Sequence, residues 1–227
     1  MRLSFSGLDD PLDIQPGRVT TLEVTNAELF SRICLSLREG QGRQAPEPYT
    51  LWNDEEELSP KDALIFIESP LELPWNSKPL LGAVIKRFQT ALLEDEELRT
   101  SIDRSAADIV SKYMSLGMTM HAEYDFEIEW DIQRFVKAFG FGVNRTSQQS
   151  ILDSCMDFLS LSLDAGVTQC IVFVNLKTFL TERGLGMFFE HVFFTNVPVL
   201  LLLEKWMDDV VYDYESKRVI DLDFIEH

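Results

Sequence analysis

The residues best suited to chemistry lie in an alternating acidic segment, Glu123-Tyr-Asp-Phe-Glu-Ile-Glu-Trp-Asp131. In a β-strand, successive side chains point to opposite faces, and neighbours on one face are about 7 Å apart. One face would therefore hold five mutually repelling carboxylates: Glu123, Asp125, Glu127, Glu129 and Asp131. Calcium accepts irregular sets of carboxylate and carbonyl ligands and would remove this repulsion. The alternative is an edge strand with a solvated acidic face, in which Asp131 only caps the next helix.

Binding of a polyanion is the second chemistry that the sequence supports. The chain has 20 basic and 38 acidic side chains and a formal net charge of −18, which by itself argues against a nucleic-acid partner. Two windows depart from this average, because residues 73–93 and 132–152 contain no acid. Their six cations are candidates for phosphate contacts: Lys78, Lys86, Arg87, Arg134, Lys137 and Arg145. Chance spacing on solvated helix faces is the alternative interpretation.

Signals of catalysis are absent from the sequence. No serine or cysteine lies in a nucleophile-elbow context, and the three histidines, His121, His191 and His227, lack zinc spacing. The apolar run Cys170–Val174 leads into Asn175-Leu-Lys-Thr178, which lacks the glycines that let a backbone bind phosphate. The sequence therefore does not predict an enzyme.

Cysteine use and the lack of a long apolar segment indicate a reducing, cytoplasmic setting. The three cysteines, Cys34, Cys155 and Cys170, have neither metal-ligand nor redox spacing. No apolar run approaches the length that spans a bilayer, and the first residues do not resemble a signal peptide. An apolar fraction of 45% is sufficient for a packed core.

Apolar periodicity predicts strand-rich ends and a helix-rich middle, which together would position these candidate residues. Strands are expected at 3–5, 18–24, 63–67, 170–174, 197–203 and 219–224. Helices are expected at 29–37, 80–92, 98–116, 132–139, 151–163 and 181–193. A capping box of Thr25 and Glu28 would start the first helix. Residues 41–60 are predicted to form a surface loop.

This order of elements predicts an α/β fold with an insertion. The helix between the strands at 170–174 and 197–203 indicates a βαβ crossover, which requires parallel strands. We expect one α/β domain built from residues 1–75 and 145–227, and a mainly helical subdomain, 76–144, inserted into it. The acidic segment 123–131 would lie at their junction.

Several short motifs occur in a fixed order along the chain: Met1-Arg-Leu-Ser-Phe-Ser-Gly-Leu-Asp-Asp-Pro11, Asn76-Ser77, Asp125-Phe-Glu-Ile-Glu129, Phe135-Val-Lys-Ala-Phe-Gly140, Ile171-Val-Phe-Val-Asn175, Phe179-Leu-Thr181, Thr195-Asn-Val-Pro-Val-Leu-Leu-Leu-Leu-Glu204 and Val219-Ile-Asp-Leu-Asp-Phe224. Taken together, they resemble the small CRISPR adaptation protein family that is specific to type II-A systems. Each motif is short and none is catalytic, so the specificity of the resemblance comes from their common order.

The resemblance implies an α/β head similar to P-loop ATPases but without a phosphate loop, and a helical leg inserted into that head. It implies a homotetrameric ring that binds double-stranded DNA ends without catalysis and supports spacer acquisition in antiviral defence. CRISPR integrase and effector proteins are the implied partners. Calcium is the implied cofactor, with Glu123, Asp125, Glu127 and Glu129 as its ligands, and the six cations named above would line the ring.

Two other functions stay open from the sequence. One is a nucleotide-dependent enzyme of the α/β ATPase type, which the missing phosphate loop disfavours. The other is an acidic protein-interaction module that does not bind DNA, which the net charge favours.

Overall fold

A computed structural model describes the chain except for Gly7, 125–130, 145–147, 205–211 and 223–224, and except for the side chain of Lys137. The strands are β1 (Arg2–Phe5), β2 (Leu12–Asp13), β3 (Val19–Val24), β4 (Tyr49–Asn53), β5 (Glu56–Glu57), β6 (Leu64–Ile67), β7 (Cys170–Val174), β8 (Val199–Glu204) and β9 (Glu215–Ile220). The helices are α1 (Ala27–Glu39), α2 (Pro60–Ala63), α3 (Lys78–Glu94), α4 (Glu96–Gly117), α5 (Ile132–Ala138), α6 (Ile151–Asp164) and α7 (Glu182–Thr195).

The chain divides into two compact units. The larger unit consists of Met1–Trp75 and Arg145–His227, and the smaller unit consists of Asn76–Asn144. All the strands named above belong to the larger unit, whereas the smaller unit contains α3, α4 and α5. The fold class is therefore α/β, with a helical segment between the two parts of the larger unit.

A parallel sheet organises the larger unit, with the strand order β6-β7-β8-β3-β9. Strands β7 and β8 are apolar on both faces and almost entirely buried, as strands covered by helices on both sides are. Helix α7 joins these two parallel neighbours, so the predicted βαβ crossover is confirmed. The predicted final strand is displaced, because β9 begins at Glu215 and ends at Ile220.

A second, antiparallel sheet has the order β2-β1-β4-β5. Its strand β4 lies inside the segment 41–60, so the prediction of a surface loop there is wrong. Tyr49 and Leu51 are buried and face Phe5 and Leu3 of β1 in the register of the pair. Burial of these two alternate side chains is the physical reason that this polar segment forms a strand.

Helix α1 begins one residue later than the predicted capping box. The side chain of Asn26, not Thr25, accepts hydrogen bonds from the backbone N–H groups of Glu28 and Leu29, both at 3.0 Å. The helix ends before Gly40, which adopts the left-handed conformation with φ 62°. The apolar face of α1 packs into a core that includes Leu22 and Leu202 of the parallel sheet.

The opposite face of the parallel sheet is covered by α7, where Phe173 of β7 meets the ring of Phe188 edge-on at 5.8 Å. Next to this apolar contact lies a buried ionic cluster: Thr21, Glu23, Lys177, Glu215 and Lys217. Lys177 Nζ is 2.7 Å from Glu215 Oε1, and neither side chain is exposed to solvent. The Thr21 hydroxyl donates to the same carboxylate oxygen at 2.5 Å.

The second ion pair of this cluster joins Lys217 of β9 to Glu23 of β3 at 2.8 Å. Burial raises the pKa of Glu23, and the hydrogen bond from Lys217 opposes that effect. Since Glu215 and Lys217 share one face of β9, both ion pairs fasten this edge strand to the rest of the larger unit.

The cysteines form no disulfide; burial raises the pKa of the Cys34, Cys155 and Cys170 thiols to about 12. They are therefore protonated, unreactive side chains at neutral pH.

We expect Lys177→Met to lower the free energy of unfolding by about 3–5 kcal/mol, because it leaves the Glu215 carboxylate buried without its cation. Urea denaturation followed by circular dichroism measures the change. The control is Arg43→Met, which removes an ion pair to Glu57 of similar length, 2.8 Å, at the surface. The control is expected to lower the free energy of unfolding far less. Equal decreases in the two variants would contradict the prediction.

Candidate nucleic-acid interface

The predicted basic residues that the structure describes all lie in the smaller unit. Lys78, Lys86 and Arg87 are exposed on α3. Arg134 is exposed on α5, and Lys137 belongs to the same helix. The sixth candidate, Arg145, lies outside the described residues. Two helices of one compact unit therefore carry the predicted polyanion-binding side chains.

The structure brings these two helices together. Helix α3 contacts α5, and the Phe88 ring packs edge-on against Phe141, just beyond α5, with 5.5 Å between ring centroids. Phe88 directly follows Lys86 and Arg87, so the two acid-free windows of the sequence meet in space. Lys78 lies about 12 Å from Lys86 along the axis of α3. Helix α3 contains no acid before its last residue, Glu94.

Asp131 has a local structural role at the start of α5. Its carboxylate accepts a hydrogen bond from the backbone N–H of Gln133 at 2.8 Å, so its predicted capping role is confirmed. The same carboxylate is 3.9 Å from the guanidinium of Arg134, whose side chain is 76% exposed. A solvated ion pair of this length contributes little to the free energy of folding.

Charge is distributed unequally between the two units. The larger unit has 12 basic and 27 acidic residues, whereas the smaller unit has 8 basic and 11 acidic residues. Five of those 11 acids belong to the alternating segment 123–131. Outside that segment, the smaller unit has an excess of cations. The net charge of −18 therefore describes mainly the larger unit.

The alternating acidic segment lies largely outside the described residues. Asp125, Glu127 and Glu129 fall there, so the predicted strand and the predicted calcium ligands stay predictions. Glu123 is exposed and borders a depression of about 650 Å³ that Met118, His121 and Tyr124 also line. In the described ranges, no group of three or more His, Cys, Asp or Glu side chains is arranged to hold a metal ion.

Helix α4, predicted at 98–116, presents an exposed apolar surface. None of its 22 residues is buried, and its large apolar side chains are among the most exposed of the described chain: Leu98, Ile109, Tyr113 and Leu116. Ile102 and Ile109 line a groove of about 310 Å³ with Phe135 and Val136 of α5. The spacing of three and four residues predicts an amphipathic helix correctly, but it does not reveal what covers the apolar face.

The carboxyl edge of the parallel sheet, where α/β folds bind nucleotides, lacks a phosphate cradle among the described residues. The connection from β3 to α1 is Thr25-Asn26, without glycine, and the Asn26 side chain already caps the helix N-terminus. Glu28 in the first turn of α1 would repel an anion there. Lys177 follows the carboxyl end of β7, but its side chain is buried and paired with Glu215.

Comparisons with known proteins agree on one family. The family model described as "CRISPR-associated protein (Cas_Csn2)" matches residues 44–224. A CRISPR-associated protein Csn2 from Enterococcus faecalis is 22% identical over 208 residues, 90% of each chain. Another from Streptococcus agalactiae is 21% identical over 226 residues, 99% of this chain and 96% of that one.

A solved structure supports the fold as well. The crystal structure of Stu0660 of Streptococcus thermophilus matches with a TM-score of 0.56 and 13% sequence identity, and the match covers 97% of this chain and 75% of that one. At that identity the likeness concerns the fold alone. In the described chain, no helix combines the length and apolar content needed to cross a membrane.

We expect millimolar ATP or ADP with magnesium to leave the melting temperature unchanged. A ligand present at a hundred times its Kd would stabilise the fold by about 2.7 kcal/mol, a shift that differential scanning fluorimetry resolves readily. The control is sodium chloride at equal ionic strength, which separates site binding from screening. A nucleotide-specific rise would contradict this prediction and support an ATPase-type enzyme.

Proposed function

The chain belongs to the Cas_Csn2 family of CRISPR-associated proteins, and from this membership we propose that it supports spacer acquisition by binding double-stranded DNA ends without catalysis. The observation that carries the proposal is the contact between α3 and α5, which places the two basic, acid-free windows side by side. We also propose that the larger unit is a P-loop-ATPase-like head without its phosphate loop, and that the smaller unit is the inserted helical leg.

Binding would be electrostatic and independent of sequence. Lysine and arginine side chains that pair with phosphates release counterions, so affinity falls steeply with salt concentration. The candidate contacts are Lys78, Lys86, Arg87, Arg134, Lys137 and Arg145. Few cations per chain suffice if several copies direct them toward one duplex, because the contacts of symmetric copies add.

Self-association supplies those copies. The exposed apolar face of α4 and its groove with α5 resemble surfaces that proteins bury against a partner. We propose that further copies of the chain cover this surface in a homotetrameric ring. A closed ring would admit only DNA with a free end, so topology would supply the selectivity for ends.

Calcium would bind at Glu123, Asp125, Glu127 and Glu129, whose carboxylates are the oxygen donors that this ion prefers. Bound calcium would neutralise acidic charge close in sequence to α5. The residues that would then face DNA are the cations of α3 and α5. Integrase and effector proteins of the CRISPR system are the proposed partners in acquisition.

An acidic protein-interaction module without DNA binding is the second candidate. It is favoured by the larger unit, whose 27 acidic residues outnumber its 12 basic residues. The two candidates differ in whether the smaller unit binds DNA, which the next experiment measures.

We expect Lys78→Glu/Lys86→Glu to weaken binding of linear duplex DNA by at least about tenfold and to reduce its salt dependence, because each copy loses two phosphate contacts. Gel shifts in calcium measure this. The control Lys61→Glu/Arg183→Glu makes the same change in net charge on exposed residues of the larger unit. Equal weakening in the control would contradict the proposed interface.

The same assay tests topology when it is repeated with covalently closed DNA and with a calcium chelator. A ring predicts binding of linear DNA and loss of binding to closed DNA. Equal binding of both would contradict the ring, and no binding to either in calcium would favour the interaction module.

We expect Leu98→Ser/Leu116→Ser to shift the assembly toward smaller species, because these exposed leucines of α4 would be buried between copies. Light scattering in calcium measures the mass, which for a tetramer is about four times the chain mass of 26.1 kDa. The control is Leu163→Ser/Leu222→Ser, which removes similarly exposed leucines from the larger unit. A wild-type chain that is monomeric with and without calcium would contradict the proposal.

A further inference from the structure

An exposed aromatic patch lies where α7 ends and β9 begins, in the larger unit. It consists of Phe193, Phe194 and Tyr214, which are 45%, 70% and 39% exposed. The Phe193 ring stacks on Tyr214 with 4.3 Å between centroids and 21° between planes, and it lies 5.6 Å from the Phe194 ring. The proposed DNA interface does not use these residues. Three clustered aromatic rings at a surface are typical of binding sites.

The backbone around the aromatic patch is held in an uncommon conformation. Tyr214 has φ 67° and Asn196, directly after α7, has φ 54°, both in the left-handed region that favours glycine. Tyr214 is kept there by its neighbours, because Glu215 is locked in the buried ion pair with Lys177 and Val19 N–H donates to the Tyr214 carbonyl at 2.9 Å. Backbone strain maintained by surrounding structure is a feature of functional sites.

A close approach of backbone also supports the aromatic patch. Gly17 has φ 74°, and a Cβ placed on it would lie 3.0 Å from Asn196 Oδ1 and 3.5 Å from the Phe193 carbonyl oxygen. Only glycine fits this position, where the loop before β3 passes the end of α7. The rings are therefore presented by a fixed frame, which reduces the entropy lost when a partner binds.

Charge identifies the kind of partner. Glu190 lies one helical turn before Phe194, and Asp213 precedes Tyr214; both are exposed, and Arg18 is the exposed cation next to Gly17. The surrounding unit has 27 acidic and 12 basic residues. DNA would be repelled here, and so would the equally acidic larger unit of a second copy. Arginine and lysine side chains would instead be attracted by the acids and would stack on the exposed rings.

We propose that the aromatic patch docks an arginine- or lysine-rich segment of another protein, with an apolar side chain beside the cations. This proposal specifies the chemistry of a protein partner. It rests on the proposed function only for the premise that other proteins bind this chain. Its contacts are aromatic and acidic, whereas the DNA interface is basic and lies in the other unit.

The test uses a fluorescein-labelled helical peptide of arginine and leucine, and the same peptide with glutamate in place of arginine, titrated with the full chain without DNA. Fluorescence anisotropy measures the Kd. We expect the arginine peptide to bind, the glutamate peptide not to bind, and Phe194→Ser to weaken binding about fivefold. The matched control Phe179→Ser alters another exposed phenylalanine of the larger unit and is expected to leave the Kd unchanged.

Several results would overturn the proposal. Equal losses of peptide affinity in Phe194→Ser and Phe179→Ser would mean that the peptide binds through the overall negative charge of the chain and not through the aromatic patch. Binding of the glutamate peptide would exclude recognition of cations. A change of assembly mass with Phe194→Ser would show that a second copy covers the patch. A matching loss of DNA binding would assign the patch to DNA. Because the peptide titration contains no DNA, failure of the proposed DNA interface leaves its result unaffected.

Discussion

The buried ion pair between Lys177 and Glu215 is the constraint on which much of the larger unit depends. It lies among the rings of Phe189 and Tyr212, where removing either partner would leave a charge without solvent. The pair fixes the start of β9, and β9 in turn completes the parallel sheet beside β3. It also has two structural consequences. Lys177 is unavailable for phosphate at the carboxyl edge, and Tyr214 is held in the conformation that presents the aromatic patch.

The two units differ in how they distribute charge and apolar surface. The larger unit buries its apolar residues in two cores on either side of the parallel sheet and carries most of the acid. The smaller unit leaves α4 without a single buried residue, and its described candidate cations Lys78, Lys86, Arg87 and Arg134 are exposed. The larger unit thus buries its own apolar surface, whereas the smaller unit leaves both apolar and basic surface exposed.

The parts of the structure that were predictable from sequence have local signals. The continuous apolar runs of β7 and β8 and the periodicity of α7 specify the βαβ unit, and the acid-free windows point to α3 and α5. Strand β4 was missed because its buried residues, Tyr49 and Leu51, lie between prolines and the acidic run 54–57. The ion pair of Lys177 joins residues 38 apart, and no local pattern marks such a pair. For α4, periodicity specifies the apolar face but carries no information on its partner.

Strand β9 also has a consequence for how the protein is made. Its partner β3 is synthesised well before it, since the hydrogen bond from Thr21 to Glu215 joins residues 194 apart. Until residue 215 has left the ribosome, β3 lacks one neighbour and Lys177 has no carboxylate to pair with. The sheet of the larger unit therefore completes only after β9 has been synthesised, because such non-local contacts form late. A nascent or prematurely terminated chain would expose the unpaired edge of β3 and leave Lys177 without its ion-pair partner. Such an incompletely folded chain is a substrate for chaperones and proteases.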